Sequence, residues 1–122
     1  MSNEIQINVS GQINNGNFRR VLGPWTMSLT QAAVGATEGV VAVTTSEADL
    51  AVGSVSTPGL LMLTNLDSTN FVTYGPKSGG SMVAVGKIKP GETHLLRLDP
   101  AATLRWKADT ATVKVDVKLY EN

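Results

Sequence analysis

The chain has 122 residues, ten Lys and Arg against ten Asp and Glu, a hydrophobic fraction of 42% and no cysteine. A chain of this length buries roughly 65–70% of its unfolded surface and needs no metal or cross-link to build a core, so a single domain over 1–122 is expected. Disulfide frameworks, Cys-based zinc sites, iron–sulfur clusters and thiol nucleophiles are excluded by counting, and zero net charge removes the long-range pull toward nucleic acid or anionic lipid.

The basic residues are scattered, with carboxylates between many of them, and the longest apolar stretches, such as Gly59-Leu60-Leu61-Met62-Leu63, fall far short of the ~20 residues that a bilayer crossing requires. Neither nucleic acid nor membrane is an expected partner. Met1-Ser2-Asn3-Glu4-Ile5 lacks the basic and apolar regions of a secretory signal, so synthesis in a cytoplasm is expected.

Taken in chain order, Ile5, Ile7 and Val9 alternate with Glu4, Gln6 and Asn8, the period of a half-buried strand closed by Ser10-Gly11. Asn14-Asn15-Gly16-Asn17 follows as a hairpin turn, its Asn-Gly pair supplying positive φ. Turn residues then divide the chain at short intervals, from Gly23-Pro24 through Pro58-Gly59, Gly75-Pro76, Gly79-Gly80 and Pro90-Gly91 to Pro100. Between them strands are predicted near Trp25 to Thr30, Val40 to Thr45, Leu60 to Leu66, Phe71 to Tyr74, Met82 to Ile88, Glu92 to Leu98 and Thr103 to Ala108. Ser46-Glu47-Ala48-Asp49-Leu50 is the one stretch suited to a helical turn, and Ala32 to Ala36 is ambiguous. The C-terminal run is the clearest strand: Val113, Val115, Val117 and Leu119 face one way, and Lys114, Asp116 and Lys118 the other. The expected fold is all-β, a single-domain antiparallel β-sandwich, jelly-roll-like or Ig-like, of about eight to nine short strands.

Chemistry is thinly supplied. The single histidine, His94, shares a strand face with Glu92, Leu96 and Leu98. It would serve as a base only if a nucleophile and an orienting carboxylate converged on it, and a sheet histidine bonded to a neighbour is the simpler reading. The oxygen-rich Asn65-Leu66-Asp67-Ser68-Thr69-Asn70 has the alternation of a calcium loop but one carboxylate, and reads better as a tight connection between strands. In Gly75-Pro76-Lys77-Ser78-Gly79-Gly80-Ser81 the lysine precedes the glycines and a β-patterned segment follows, so a surface contact loop is expected in place of a phosphate cradle. Trp106 lies between Arg105 and Lys107, yet strand parity places it with Leu104 and Ala108 on a core face. No catalytic, cofactor-binding or metal-ligating residue is assigned, and no enzymatic activity or cofactor is expected.

The run from Pro58-Gly59 through Asn65-Leu66-Asp67-Ser68-Thr69-Asn70-Phe71-Val72 to Gly75-Pro76 and Ser78-Gly79-Gly80 resembles a segment of small virion proteins encoded by tailed bacteriophages. Lys87-Ile88-Lys89-Pro90-Gly91-Glu92, Leu95-Leu96-Arg97-Leu98 and Leu104 to Ala111 continue it, so that about half the chain is covered. The resemblance implies a virion structural protein: a decoration or cement protein on the head, or else a tail, collar or fibre-attachment component. It implies as partners other virion proteins, the major capsid protein or tail proteins, and it transfers no catalytic residue. A homo-oligomer is expected, with a cyclic trimer allowed by symmetry. The alternative is a carbohydrate-binding β-sandwich, which would need Trp25, Tyr74, Trp106 or Tyr120 exposed on one face. The candidate interface residues are Ile5, Ile7 and Val9 for edge potential, Asn65, Asp67 and Asn70 for turn chemistry, and Pro76, Lys77, Ser78, Gly79 and Gly80 in the glycine loop.

Overall fold

The computed structural model describes residues 4–122, which contain eleven strands and no helix. In chain order these are β1 (Ile5–Asn15), β2 (Phe18–Leu29), β3 (Ala36–Val43), β4 (Ala48–Asp49), β5 (Pro58–Asn65), β6 (Val72–Ser78), β7 (Ser81–Met82), β8 (Gly86–Ile88), β9 (Thr93–Arg97), β10 (Leu104–Ala108) and β11 (Val113–Glu121). All pairings are antiparallel. The chain divides into two compact units, Met1–Ala33 and Val34–Asn122, where the sequence suggested one domain.

The first unit is a two-stranded hairpin, β1 with β2. Asn15 pairs with Phe18 around the two-residue turn Gly16-Asn17, in which Gly16 takes φ of 57°, so the reversal falls in the expected segment one residue later than an Asn-Gly centre would place it. β1 does not stop at Ser10-Gly11. The register shifts between Val9 and Gly11, where Val9 pairs with Trp25 and Gly11 with Leu22, and the extra residue is absorbed on β2 at Gly23-Pro24. A β-bulge of this kind lets the pairing continue on both sides of the extra residue, with the alternation along β2 shifted by one.

The second unit holds two sheets, ordered β3-β11-β5-β9 and β4-β10-β6-β7, with β8 also paired to β6. Alternation in β11 sends Val113, Val115, Val117 and Leu119 inward at 0–2% exposure. Leu61 and Leu63 from β5, Val72 and Tyr74 from β6, Ile88, and Trp106 and Ala108 from β10 join them in one core cluster, so the two sheets share their apolar faces. This cluster is the main stabilising feature of the unit, because each fully buried aliphatic or aromatic side chain contributes about 1.5–3 kcal/mol.

The strand predicted near Trp25 to Thr30 begins earlier, as β2 from Phe18, and two expected elements of the second unit also differ from their prediction. Ser46 to Leu50 is no helical turn: Ala48 and Asp49 pair with Trp106 and Arg105 as β4, and the Leu50 amide donates to the Leu104 carbonyl at 2.8 Å. Tertiary pairing overrides a weak local preference there. The predicted strand Met82 to Ile88 is split into β7 and β8, with Val83 and Val85 exposed between them at 51% and 71%. Their amides still donate to the carbonyls of Pro76 and Tyr74, and Gly75 permits the close approach, since a Cβ there would run into the Val83 carbonyl.

Candidate functional site

Pro76, Lys77, Ser78, Gly79 and Gly80 form the end of β6 and its reversal into β7. Ser78 pairs with Ser81, and Gly79 and Gly80 take φ of 62° and 88°, the two positive values that a tight primed turn demands. All five residues are exposed, and the reversal is held from beneath by Arg105. Its Nη1 donates to the Gly80 carbonyl at 3.1 Å and to Glu47 Oε1 at 3.2 Å, while Nε donates to Asp49 Oδ1 at 2.7 Å. Glu47 also accepts the Met82 amide at 2.9 Å. The Met82 amide, ahead of Arg105, holds the Glu47 carboxyl below its ordinary range, and the Arg105 guanidinium does the same for Asp49. The glycine loop is therefore a hydrogen-bonded tip that stands exposed at the end of β6.

Asn65, Asp67 and Asn70 divide into two roles. Asp67 and Asn70 sit on the connection between β5 and β6, where Asp67 Oδ2 accepts the amides of Asn70 at 2.6 Å and Thr69 at 3.0 Å. Those amides, Asn70 first, hold the Asp67 carboxyl below its usual range, so this carboxylate caps its own turn. Asn65 does not fit a surface contact, being only 1% exposed. Its Nδ2 donates to the carbonyls of Ile88 at 2.9 Å and Asn70 at 3.0 Å, and its Oδ1 accepts the Asp67 amide at 2.8 Å. Its polar atoms are spent inside the fold, tying β5 to β8 and to the turn.

Tyr74 and His94 connect the two sheets. Tyr74 Oη lies 2.8 Å from His94 Nδ1, His94 Nε2 lies 3.3 Å from Glu92 Oε1, and the two rings meet edge to face at 5.6 Å. Burial pushes the Tyr74 phenol upward, and the Lys89 amide, followed by His94, holds Glu92 below its normal range. Both ring nitrogens of His94 are thus engaged by neighbours, the bonded sheet histidine of the simpler reading. Among the described residues no three His, Asp or Glu side chains gather into a metal-holding group.

Ile5, Ile7 and Val9 lie on β1, and the register shows what they belong to. Ile5 faces Leu29, Ile7 faces Met27 and Val9 faces Trp25; beyond the bulge Gly11 faces Leu22, Ile13 faces Arg20 and Asn15 faces Phe18. Because side chains alternate, these rungs share one face, and it carries nine large apolar side chains. The other face carries Gln6, Asn8, Gln12 and Asn14 opposite Ser28, Thr26, Val21 and Arg19. On the apolar face Val9 and Ile13 are each 39% exposed, Leu22 41%, Phe18 49% and Trp25 58%. Arg20 interrupts it only at the turn end, where its guanidinium lies 4.4 Å from the Phe18 ring centroid.

No protein-family model, curated protein or solved structure matches this chain.

Of the aromatic residues that a sugar platform would require, Trp106 and Tyr74 are buried at 3% and 6%, and the Tyr120 hydroxyl donates to Glu38 at 2.7 Å, which pushes its pKa to about 12. The β2 half of the hairpin face was missed from the sequence, because the bulge at Gly23-Pro24 breaks the parity of Phe18, Leu22 and Trp25 along the strand. Glu121 was missed as well. It is 6% exposed, with Oε1 accepting the Ser56 amide at 2.8 Å and Oε2 the Thr57 amide at 3.0 Å. Only its parity with Val117 and Leu119 signalled an inward carboxylate.

Proposed function

We propose that the chain is a non-enzymatic structural protein of a tailed-bacteriophage virion, a decoration or cement protein that binds and stabilises the head shell through protein–protein contacts. The observation that carries this is the apolar face of the β1–β2 hairpin. Contiguous exposed apolar surface of this length on a small protein marks a protein contact site, and a two-stranded hairpin is at best marginally stable in water without cover. The resemblance of residues 58–111 to small phage virion proteins supplies the class of particle, and the exposed Pro76 to Gly80 tip offers a surface to the major capsid protein. The Val34–Asn122 unit is read as a β-sandwich on the strength of the core its two sheets share. Its engaged histidine and thin supply of catalytic groups support a contact role over a chemical one. A tail, collar or fibre-attachment component is the companion reading, since the same surfaces serve any virion partner.

The test compares head shells from the source with and without this chain, heating each and following genome release by dye fluorescence. Shells carrying the chain release their genome at a higher temperature, and adding purified protein back to depleted shells restores the difference. Equal release temperatures, with no protein retained on the shells, would overturn the cement role.

A further inference from the structure

The apolar hairpin face raises the question of what covers it. We infer that its occupant is a second copy of this chain, with β1–β2 hairpins packing face to face as the core of a homo-oligomer. This rests on the reading of the protein as a contact protein and names the partner of its hairpin.

Three observations select a second copy. First, the face runs the whole length of both strands, from Ile5 opposite Leu29 to Phe18 beside the turn. A hairpin that depends on cover for its own stability needs a partner present in equal amount from synthesis onward, and another copy of the same chain meets that requirement. Second, the face carries no carboxylate and a single cation, Arg20, placed at the turn end over Phe18. Two such faces meet without burying an unpaired acidic group, and the chain's formal charge of zero adds no long-range repulsion between copies. Third, the area suffices. Phe18 and Trp25 are 49% and 58% exposed, and with their aliphatic neighbours they present roughly 500 Å² per copy, since buried aromatic rings account for ~150–250 Å² each. Two faces together hide roughly 1,000 Å² before any polar rim is counted, the level that a specific interface must clear. This differs from edge-to-edge strand pairing: the contact uses side chains of both strands and leaves the polar face, with Gln6, Asn8 and Gln12, in solvent.

The two tryptophans report on the two units separately, because Trp25 lies in the hairpin and Trp106 is buried in the second unit at 3% exposure. The experiment measures the mass of the full chain by light scattering on a sizing column, from about 1 to 100 µM, together with iodide quenching of tryptophan. The expected mass is at least twice 12.8 kDa, with Trp25 becoming protected as concentration rises. Ile13→Glu places a carboxylate on the apolar face opposite Arg20, a cross-strand pair that favours the hairpin while opposing burial of the face. It is expected to lower the assembly to monomer, with the protected Trp106 signal retained. Gln12→Glu, one residue away on the polar face, is expected to assemble as the unaltered chain does.

A monomeric unaltered chain with freely quenched Trp25 at 100 µM would overturn the inference, as would full assembly of Ile13→Glu or equal loss of assembly in Gln12→Glu. None of these results bears on whether the chain is found in particles, so failure here is distinguishable from failure of the virion reading.

Discussion

Asn65 is where the fold makes its sharpest energetic demand, because a buried amide is answered on both its donor and its acceptor atoms. Asn65→Ala removes two bonds from Nδ2, to Ile88 and Asn70, and one to Oδ1, from the Asp67 amide. Each such bond contributes about 1 kcal/mol net, so the loss of all three is expected to cost about 3 kcal/mol. With a urea slope of about 1.5 kcal/mol/M, the unfolding midpoint falls by about 2 M. Emission of the buried Trp106 in a Trp25→Phe background follows this transition. Asn65→Asp tests the cause, since it keeps the shape but turns an oxygen toward the two carbonyls. Burial beside those oxygens raises the folded pKa of the new carboxyl above its unfolded value of about 3.9. Its deficit relative to the unaltered chain is therefore smallest below about pH 4, where the protonated carboxyl donates to one carbonyl, and it grows as pH rises through the folded pKa. A change under about 0.5 kcal/mol for Asn65→Ala, or an Asn65→Asp deficit equal at pH 4 and pH 8, would refute this reasoning.

Leu63→Ala, at a fully buried position in β5, is expected to cost about 2–5 kcal/mol by urea denaturation at unchanged slope. Gly75→Ala should cost about 1–3 kcal/mol, because its Cβ would run into the Val83 main chain, where no flexible side chain can yield; a neutral result would mean that β6 and the 83–85 segment are not in close approach. For Glu121 the Ser56 amide, followed after the opposing cost of burial by the Thr57 amide, holds the carboxyl below its ordinary value of 4.5. A depressed folded pKa contributes stability above the unfolded value and loses it as pH falls through the folded one, so the urea midpoint drops in acid. Glu121→Gln is expected to lower the midpoint at pH 7 and to flatten part of that acid slope; an unchanged slope would remove Glu121 as a contributor.

Strand parity carried much of the fold into view. The alternating valines of 113–119 tell which side of β11 faces the core, and the Asn14-to-Asn17 segment locates the hairpin reversal, which centres on Gly16-Asn17. Trp106 was assigned to the core because Leu104 and Ala108 share its face, and it is buried there. What stayed hidden depends on long-range partners. Ala48 and Asp49 become a strand only because Arg105 and Trp106 lie beside them, and Val83 to Val85 run close against Gly75, a contact that no local signal announces. The oxygen-rich 65–70 segment showed its turn chemistry, but nothing local separates the inward Asn65 from the outward Asp67. Ile5, Ile7 and Val9 were visible as one apolar row. Their counterparts on β2 were obscured, since the bulge at Gly23-Pro24 shifts the alternation exactly once and sets Trp25 and Leu22 three residues apart on the same face.

The most direct measurement is quantitative mass spectrometry of purified particles from the source, with heads separated from tails, counting this chain against the major shell protein. High copy number in heads, comparable with the shell protein, is the expected result. Absence from heads and tails alike would contradict the account and leave the chain a contact protein outside the virion.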